Sequence, residues 1–121
     1  MKRIIVADDA MFMRKCIRDV LEEGGYEVVA EAKNGREAVE KHSIYEPDII
    51  TMDITMPELD GIQALRVINS NSRGTKVVMV SAMGQEHLVK EAAASGAKGF
   101  IVKPFKKEKV LRVIKEALSE E

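Results

Sequence analysis

Apolar residues fall along this chain in two alternating patterns. Short unbroken runs are followed by longer stretches in which the apolar positions return every three or four residues. The first pattern suits strands buried on both faces; the second suits helices that bury one side. Arg3–Ala7 (RIIVA) is predicted to be a fully buried strand. Phe12, Met13, Cys16, Ile17, Val20 and Leu21 then share one helical face, and Gly24 and Gly25 stop that helix. EVVAEA (Glu27–Ala32) is a more polar strand, suited to a sheet edge. NGREAVEKH opens on Asn34 and Gly35, a turn and cap, and continues as a short helix. Pro47 precedes a third strand, DIITMD. The loop Pro57–Gly61 leads into a helix that buries Ile62, Leu65 and Ile68, and residues 69–74 (NSNSRG) form a polar turn. KVVMVSA (Lys76–Ala82) is the fourth strand. Leu88, Val89, Ala92 and Ala93 mark a weaker helix closed by Gly96. Gly99–Lys103 is the fifth strand, and the last helix buries Val110, Leu111, Val113, Ile114 and Leu118.

Five β-α units in one run, with short connections and no low-complexity segment, predict an α/β domain over residues 1–121. Its parallel sheet is doubly wound, (βα)5, with helices on both faces. Right-handed crossovers restrict the topology, and strand order 2-1-3-4-5 is expected.

Composition removes several classes of function. The chain has 121 residues, 45% apolar and 32% charged, with a formal net charge of -1. Such a balance suits a soluble globular protein and makes no global electrostatic case for nucleic acid or a membrane surface. No apolar run approaches the length of a membrane span, and the start shows no signal-peptide pattern, so a cytoplasmic location is expected. The single cysteine, Cys16, cannot form an internal disulfide and reads as core. Met52 and Met79 read as core gap-fillers, while Met56 and Met83 are placed to flank a site entrance. His42 and His87 lack metal-ligand spacing and read as surface residues.

The chemistry gathers at the C-terminal strand ends. The first strand ends in Asp8 and Asp9, the third in Asp53, the fourth in Ser81 and Ala82, and the fifth in Lys103 and Pro104. In an open parallel sheet the ligand crevice lies beyond these ends, where strand order reverses. With the expected order that point falls between strands one and three, so three aspartates meet. Alternatively, Asp8 and Asp9 merely cap the following helix, Lys103 is a solvated lysine and Ser81 a strand-end cap. Their joint placement favours a site. Clustered carboxylates repel one another, and a hard divalent cation such as Mg2+ relieves that repulsion. The set suits phosphoryl transfer to a carboxylate, with Asp53 as nucleophile and Lys103 and Ser81 meeting phosphoryl oxygens.

DDA at Asp8–Ala10, DITMPELDG at Asp53–Gly61, SA at Ser81–Ala82 and KP at Lys103–Pro104 together resemble a receiver domain of two-component signalling, over the whole chain. The resemblance implies a flavodoxin-like fold, with Asp53 as phosphoacceptor. It implies Mg2+ held by Asp9, Asp53 and the Thr55 backbone carbonyl, with Asp8 acting through water. It places Ser81 at the switch hydroxyl, Ala82 beside it, Phe100 at the switch aromatic, and a cis bond before Pro104 that turns Lys103 inward. The crevice rule was framed partly on receivers, so its agreement with this family is not independent.

DDAMFMR, NGREAVEK, MDITMP and SAMGQ further resemble stand-alone chemotaxis receivers. That resemblance implies a signalling switch rather than an enzyme. Its partners would be a histidine kinase as donor and a motor switch protein or motor adaptor as output, with room for a phosphatase; a monomer is expected. Phe100 replaces the tyrosine common in enterobacterial members, and Thr55 stands where asparagine is frequent. In the implied switch, Ser81 moves toward the phosphoryl group and Phe100 turns inward. The face around the fourth helix (residues 85–95), the fifth strand and the last helix then changes shape. Phe100 could instead be a permanently packed core aromatic. A phosphorelay intermediate, or a receiver with a non-motor partner, remains open. An aspartate-nucleophile phosphatase would need an acid where Thr55 stands, and a nucleotide-binding domain would need a glycine-rich loop after the first strand.

Overall fold

The computed structural model describes residues 1–71 and 74–119. Its elements follow in the order β1 (Arg3–Ala7), α1 (Met11–Glu23), β2 (Glu27–Ala32), α2 (Gly35–Tyr45), β3 (Ile49–Asp53), α3 (Gly61–Asn71), β4 (Lys76–Ala82), α4 (Glu86–Ala94), β5 (Gly99–Lys103) and α5 (Lys107–Ser119). All strand pairings are parallel, and the sheet order is β2-β1-β3-β4-β5. The expected (βα)5 doubly wound, flavodoxin-like architecture is therefore the observed one, with β2 at an edge. Residues 72 and 73 of the expected polar turn lie outside the described residues.

Successive strand residues point to opposite sheet faces, and each face has its own core. Ile5, Ala7, Ile50, Met52, Val77 and Met79 pack against Ala38, Ile62, Leu65, Ile68 and Ala92 from α2, α3 and α4. Ile4, Val6, Ile49, Val78, Val80 and Ile101 pack against Ile17 and Leu21 of α1 and Val110, Val113, Ile114 and Ala117 of α5. Burial on both faces is why these strands read as unbroken apolar runs. Each fully buried Ile or Leu contributes about 1.5–3 kcal/mol, so two such layers hold the strand ends level.

Local chemistry sets the helix boundaries. Asn34 caps α2, its side chain accepting from the Glu37 N–H at 2.8 Å. Gly24 ends α1 and Gly25 adopts φ +92, a conformation that favours glycine.

Several expectations are corrected. Phe12 is 76% exposed rather than on the buried face of α1, because at about 100° per residue it lies on the opposite side of the helix from the buried Ile17 and Leu21. Cys16 is only half-buried. His42 is not a surface residue: α2 runs past it to Tyr45, and its ring is buried, 3.1 Å from the Thr75 hydroxyl. Burial lowers the His42 imidazole below its ordinary value. Leu111 and Leu118 are half-buried rather than buried, with Ala117 taking a core position instead. Met52 and Met79 are fully buried; of the two methionines placed to flank the entrance, Met56 is buried too and Met83 is exposed. Among the described residues no helix is long and apolar enough to cross a membrane.

Candidate functional site

β1 and β3 are neighbours in the sheet, with Ala7 opposite Met52. Their next residues, Asp8 and Asp53, therefore emerge side by side. Asp8 is held rigidly. Its N–H donates to the Ala32 carbonyl at 2.9 Å, and its side-chain Oδ1 accepts from the Ala10 N–H at 2.9 Å. The Arg14 guanidinium reaches back from α1 to the Asp8 carbonyl at 2.7 Å. Asp8 is fully buried, Asp53 nearly so, and Asp9 is exposed. One carboxylate oxygen from each of Asp8, Asp9 and Asp53 lies within 4.8 Å of the others.

Lys103 arrives from the far side. From the end of β5 its Nζ lies 3.1 Å from Asp8 Oδ2 and 3.6 Å from Asp53 Oδ2. The Lys103–Pro104 bond is cis. Ser81 is buried near the end of β4, and Ala82, next along the strand, is opposite Lys103. Phe100 is half-buried against the core that faces α2, α3 and α4. Thr55 is exposed in the loop after β3, and its backbone hydrogen bond to the Asp53 carboxylate pulls that group's pKa down.

The balance at Asp53 runs the other way. Burial first, then the charges of Asp8 and Asp9, raise its carboxyl from 3.8 to about 6, although Lys103 opposes the rise. One ammonium does not neutralise three carboxylates. A hard, oxygen-only donor set with this unrelieved repulsion fits a divalent cation such as Mg2+, which tolerates a few carboxylates and keeps waters of its own.

Some contributors were invisible along the chain. Gly61 is pressed against the site: its N–H donates to the Ile54 carbonyl at 2.8 Å, and a Cβ there would lie 2.1 Å from the Asp53 carbonyl oxygen. Its reading as a loop end contained no hint of that approach. Gln85 bridges two loops, accepting from the Ala82 N–H at 2.8 Å and donating to the Thr55 hydroxyl at 3.0 Å. Nothing in residue spacing announces a bond between positions thirty residues apart. A cavity of about 940 Å3 opens beside His42 and Thr75 and shares no residue with the acidic cluster.

A doubly wound sheet with three carboxylates, a lysine and a buried serine at its switch point defines a class: flavodoxin-like domains with an acidic, lysine-guarded pocket. The response regulator receiver domain matches residues 4–115, and the chain belongs to that family. In this family phosphorylation and Mg2+ are shared features. The chain is 52% identical over 117 residues to the chemotaxis protein CheY of Bacillus subtilis, covering 97% of this chain and 98% of that protein. It is 50% identical over 113 residues to the CheY of Thermotoga maritima, covering 93% and 94%. Among solved structures, the CheX–CheY–BeF3–Mg2+ complex from Borrelia burgdorferi superimposes with a TM-score of 0.93 at 36% identity, covering 98% of this chain and 90% of that one.

Proposed function

We propose that this chain is a chemotaxis-type response regulator, one domain over residues 1–121, that accepts a phosphoryl group on Asp53 from a histidine kinase. The observation that carries the proposal is the convergence of Asp8, Asp9 and Asp53 within 4.8 Å beside the Lys103 ammonium. Its likeness to CheY proteins over nearly the full length supports the chemotaxis assignment.

Asp9, Asp53 and the Thr55 carbonyl would hold Mg2+ directly, and Asp8 through water. When bound, the cation neutralises the carboxylates and shields the charge that grows on the transferring phosphoryl group. An Asp53 carboxylate oxygen forms the new bond to phosphorus as the bond to the donor imidazole nitrogen breaks. Lys103 stands against the negative charge of the phosphoryl oxygens, and the Ser81 hydroxyl and Ala82 N–H supply donors to them. Burial and two neighbouring carboxylates raise the basicity of Asp53 and so favour it as the nucleophile; phosphorylation adds negative charge at the site, which Lys103 and the bound cation would offset. Ser81 is drawn to the new group and Phe100 moves into the space behind it. The α4–β5–α5 face then presents a changed surface to a motor switch protein or motor adaptor in the cytoplasm.

Incubation with a small phosphodonor and Mg2+, read by intact mass, tests the assignment. One base-labile phosphoryl group is expected, absent with chelator and absent from Asp53→Asn. Full labelling of Asp53→Asn would overturn it. Capture of partners with and without beryllofluoride then separates a motor output from a phosphorelay: a histidine-containing acceptor as the principal partner would replace the motor assignment.

A further inference from the structure

Val80 accepts a hydrogen bond from the Ile54 N–H at 3.1 Å, so its backbone faces β3. Alternate residues of a strand turn their backbone groups to the same neighbour, so the N–H of Ala82 faces that side as well. β3 ends at Asp53, opposite Val80. The Ala82 N–H is therefore a sheet donor left without a strand partner, pointing over the end of the strand that carries Asp53. It is not free. The Gln85 side chain accepts from it at 2.8 Å and is itself tied to the Thr55 hydroxyl at 3.0 Å. One amide group thus closes a bridge between the loops that flank Asp53.

We propose that Gln85 is a displaceable latch: its side-chain amide occupies the Ala82 donor in the unphosphorylated form, and an incoming phosphoryl oxygen must evict it. This rests on the phosphoacceptor reading of Asp53 and adds to it a positioning residue that lowers affinity for the phosphoryl group and links its arrival to α4. The link is direct. Gln85 is the N-cap of α4 and makes no side-chain cap bond, while its carbonyl accepts from the N–H groups of Leu88 at 2.9 Å and Val89 at 3.0 Å. Releasing its side chain frees the residue from which the first turn of α4 hangs. The same event unties Thr55, whose own backbone bonds Asp53.

The test is a beryllofluoride titration at saturating Mg2+, followed by amide NMR, on wild type, Gln85→Met and Thr55→Val. Met keeps the length of Gln85 without its hydrogen bonds, and Val keeps the shape of Thr55 without its hydroxyl. Eviction exchanges one net hydrogen bond, so Gln85→Met is expected to bind beryllofluoride about two- to tenfold tighter. Thr55→Val shifts the same way by less. In wild type the Ala82 N–H and the Gln85 side-chain amide should shift together during the titration, and the Gln85 amide protons should then exchange faster with water. A merely structural Gln85 would lower the melting temperature and weaken binding instead. Equal or weaker binding by Gln85→Met, or a Gln85 side chain still bonded to Ala82 in the complex, overturns the latch while leaving the phosphoacceptor reading intact. Failure of wild type to bind beryllofluoride at all overturns both.

Discussion

Asp53→Asn should make the cation-free protein more stable, and by an amount the site itself sets. The Asp53 carboxyl is raised from 3.8 to about 6, mainly by burial and then by Asp8. At about 1.4 kcal/mol per pH unit, holding it ionised inside the fold costs roughly 3 kcal/mol. Because the folded value lies above the unfolded one, this contribution to stability is whole below about pH 3.8 and is lost as pH climbs through about 6. Asparagine keeps the shape and removes the charge. At pH 8 the variant should therefore exceed wild type by about 3 kcal/mol, or roughly 10 °C in Tm for a chain of this length. At pH 4.5 the gap should shrink to about 1 kcal/mol. Urea unfolding at the two pH values measures it, and Mg2+ added at pH 8 should narrow it by stabilising wild type. A variant that is less stable at pH 8, or a gap that does not change with pH, would refute the electrostatic reasoning.

Lys103→Met should lower stability by about 1–2 kcal/mol, since the ammonium is mostly but not wholly withdrawn from water; the same change should strengthen Mg2+ binding roughly threefold or more by removing a competing positive charge, both readable by thermal shift with and without Mg2+. Gly61→Ala should cost about 3 kcal/mol, because its Cβ would collide with the Asp53 carbonyl oxygen at 2.1 Å. Equilibrium unfolding checks this, and a neutral result would mean that the backbone yields there. His42 lies below its ordinary pKa through burial, so its share of stability is present above about pH 6.5 and is lost as pH falls. His42→Gln should flatten that acid limb in a series of melting temperatures.

How far the chain could be read depended on the range of the interaction. β1, β2, β4 and β5 have the expected bounds; in β1 and β4 burial on both faces makes the strand an almost unbroken apolar run, while the edge strand β2 carries Glu31 within it. The acidic site was legible for the same reason: strand ends are sharp, and topology alone brings Asp8, Asp9 and Asp53 together. Helix faces were less well read. The apolar pattern groups Phe12 with Ile17 and Leu21, yet at about 100° per residue Phe12 stands on the opposite side of α1 from both. His42 is buried through a partner at Thr75, thirty-three residues away. The bridge from Gln85 to Thr55 and the press of Gly61 on Asp53 likewise exist only once β3 and β4 lie side by side.

The most direct measurement is calorimetric Mg2+ titration between pH 5 and 8, on wild type, Asp9→Asn and Asp53→Asn. Wild-type affinity should be level above about pH 7 and fall close to tenfold per pH unit below about pH 6, as protons compete for Asp53. Each substitution should weaken binding at least about tenfold at pH 8. An affinity indifferent to pH and to the loss of either carboxylate would show that these aspartates do not share a cation.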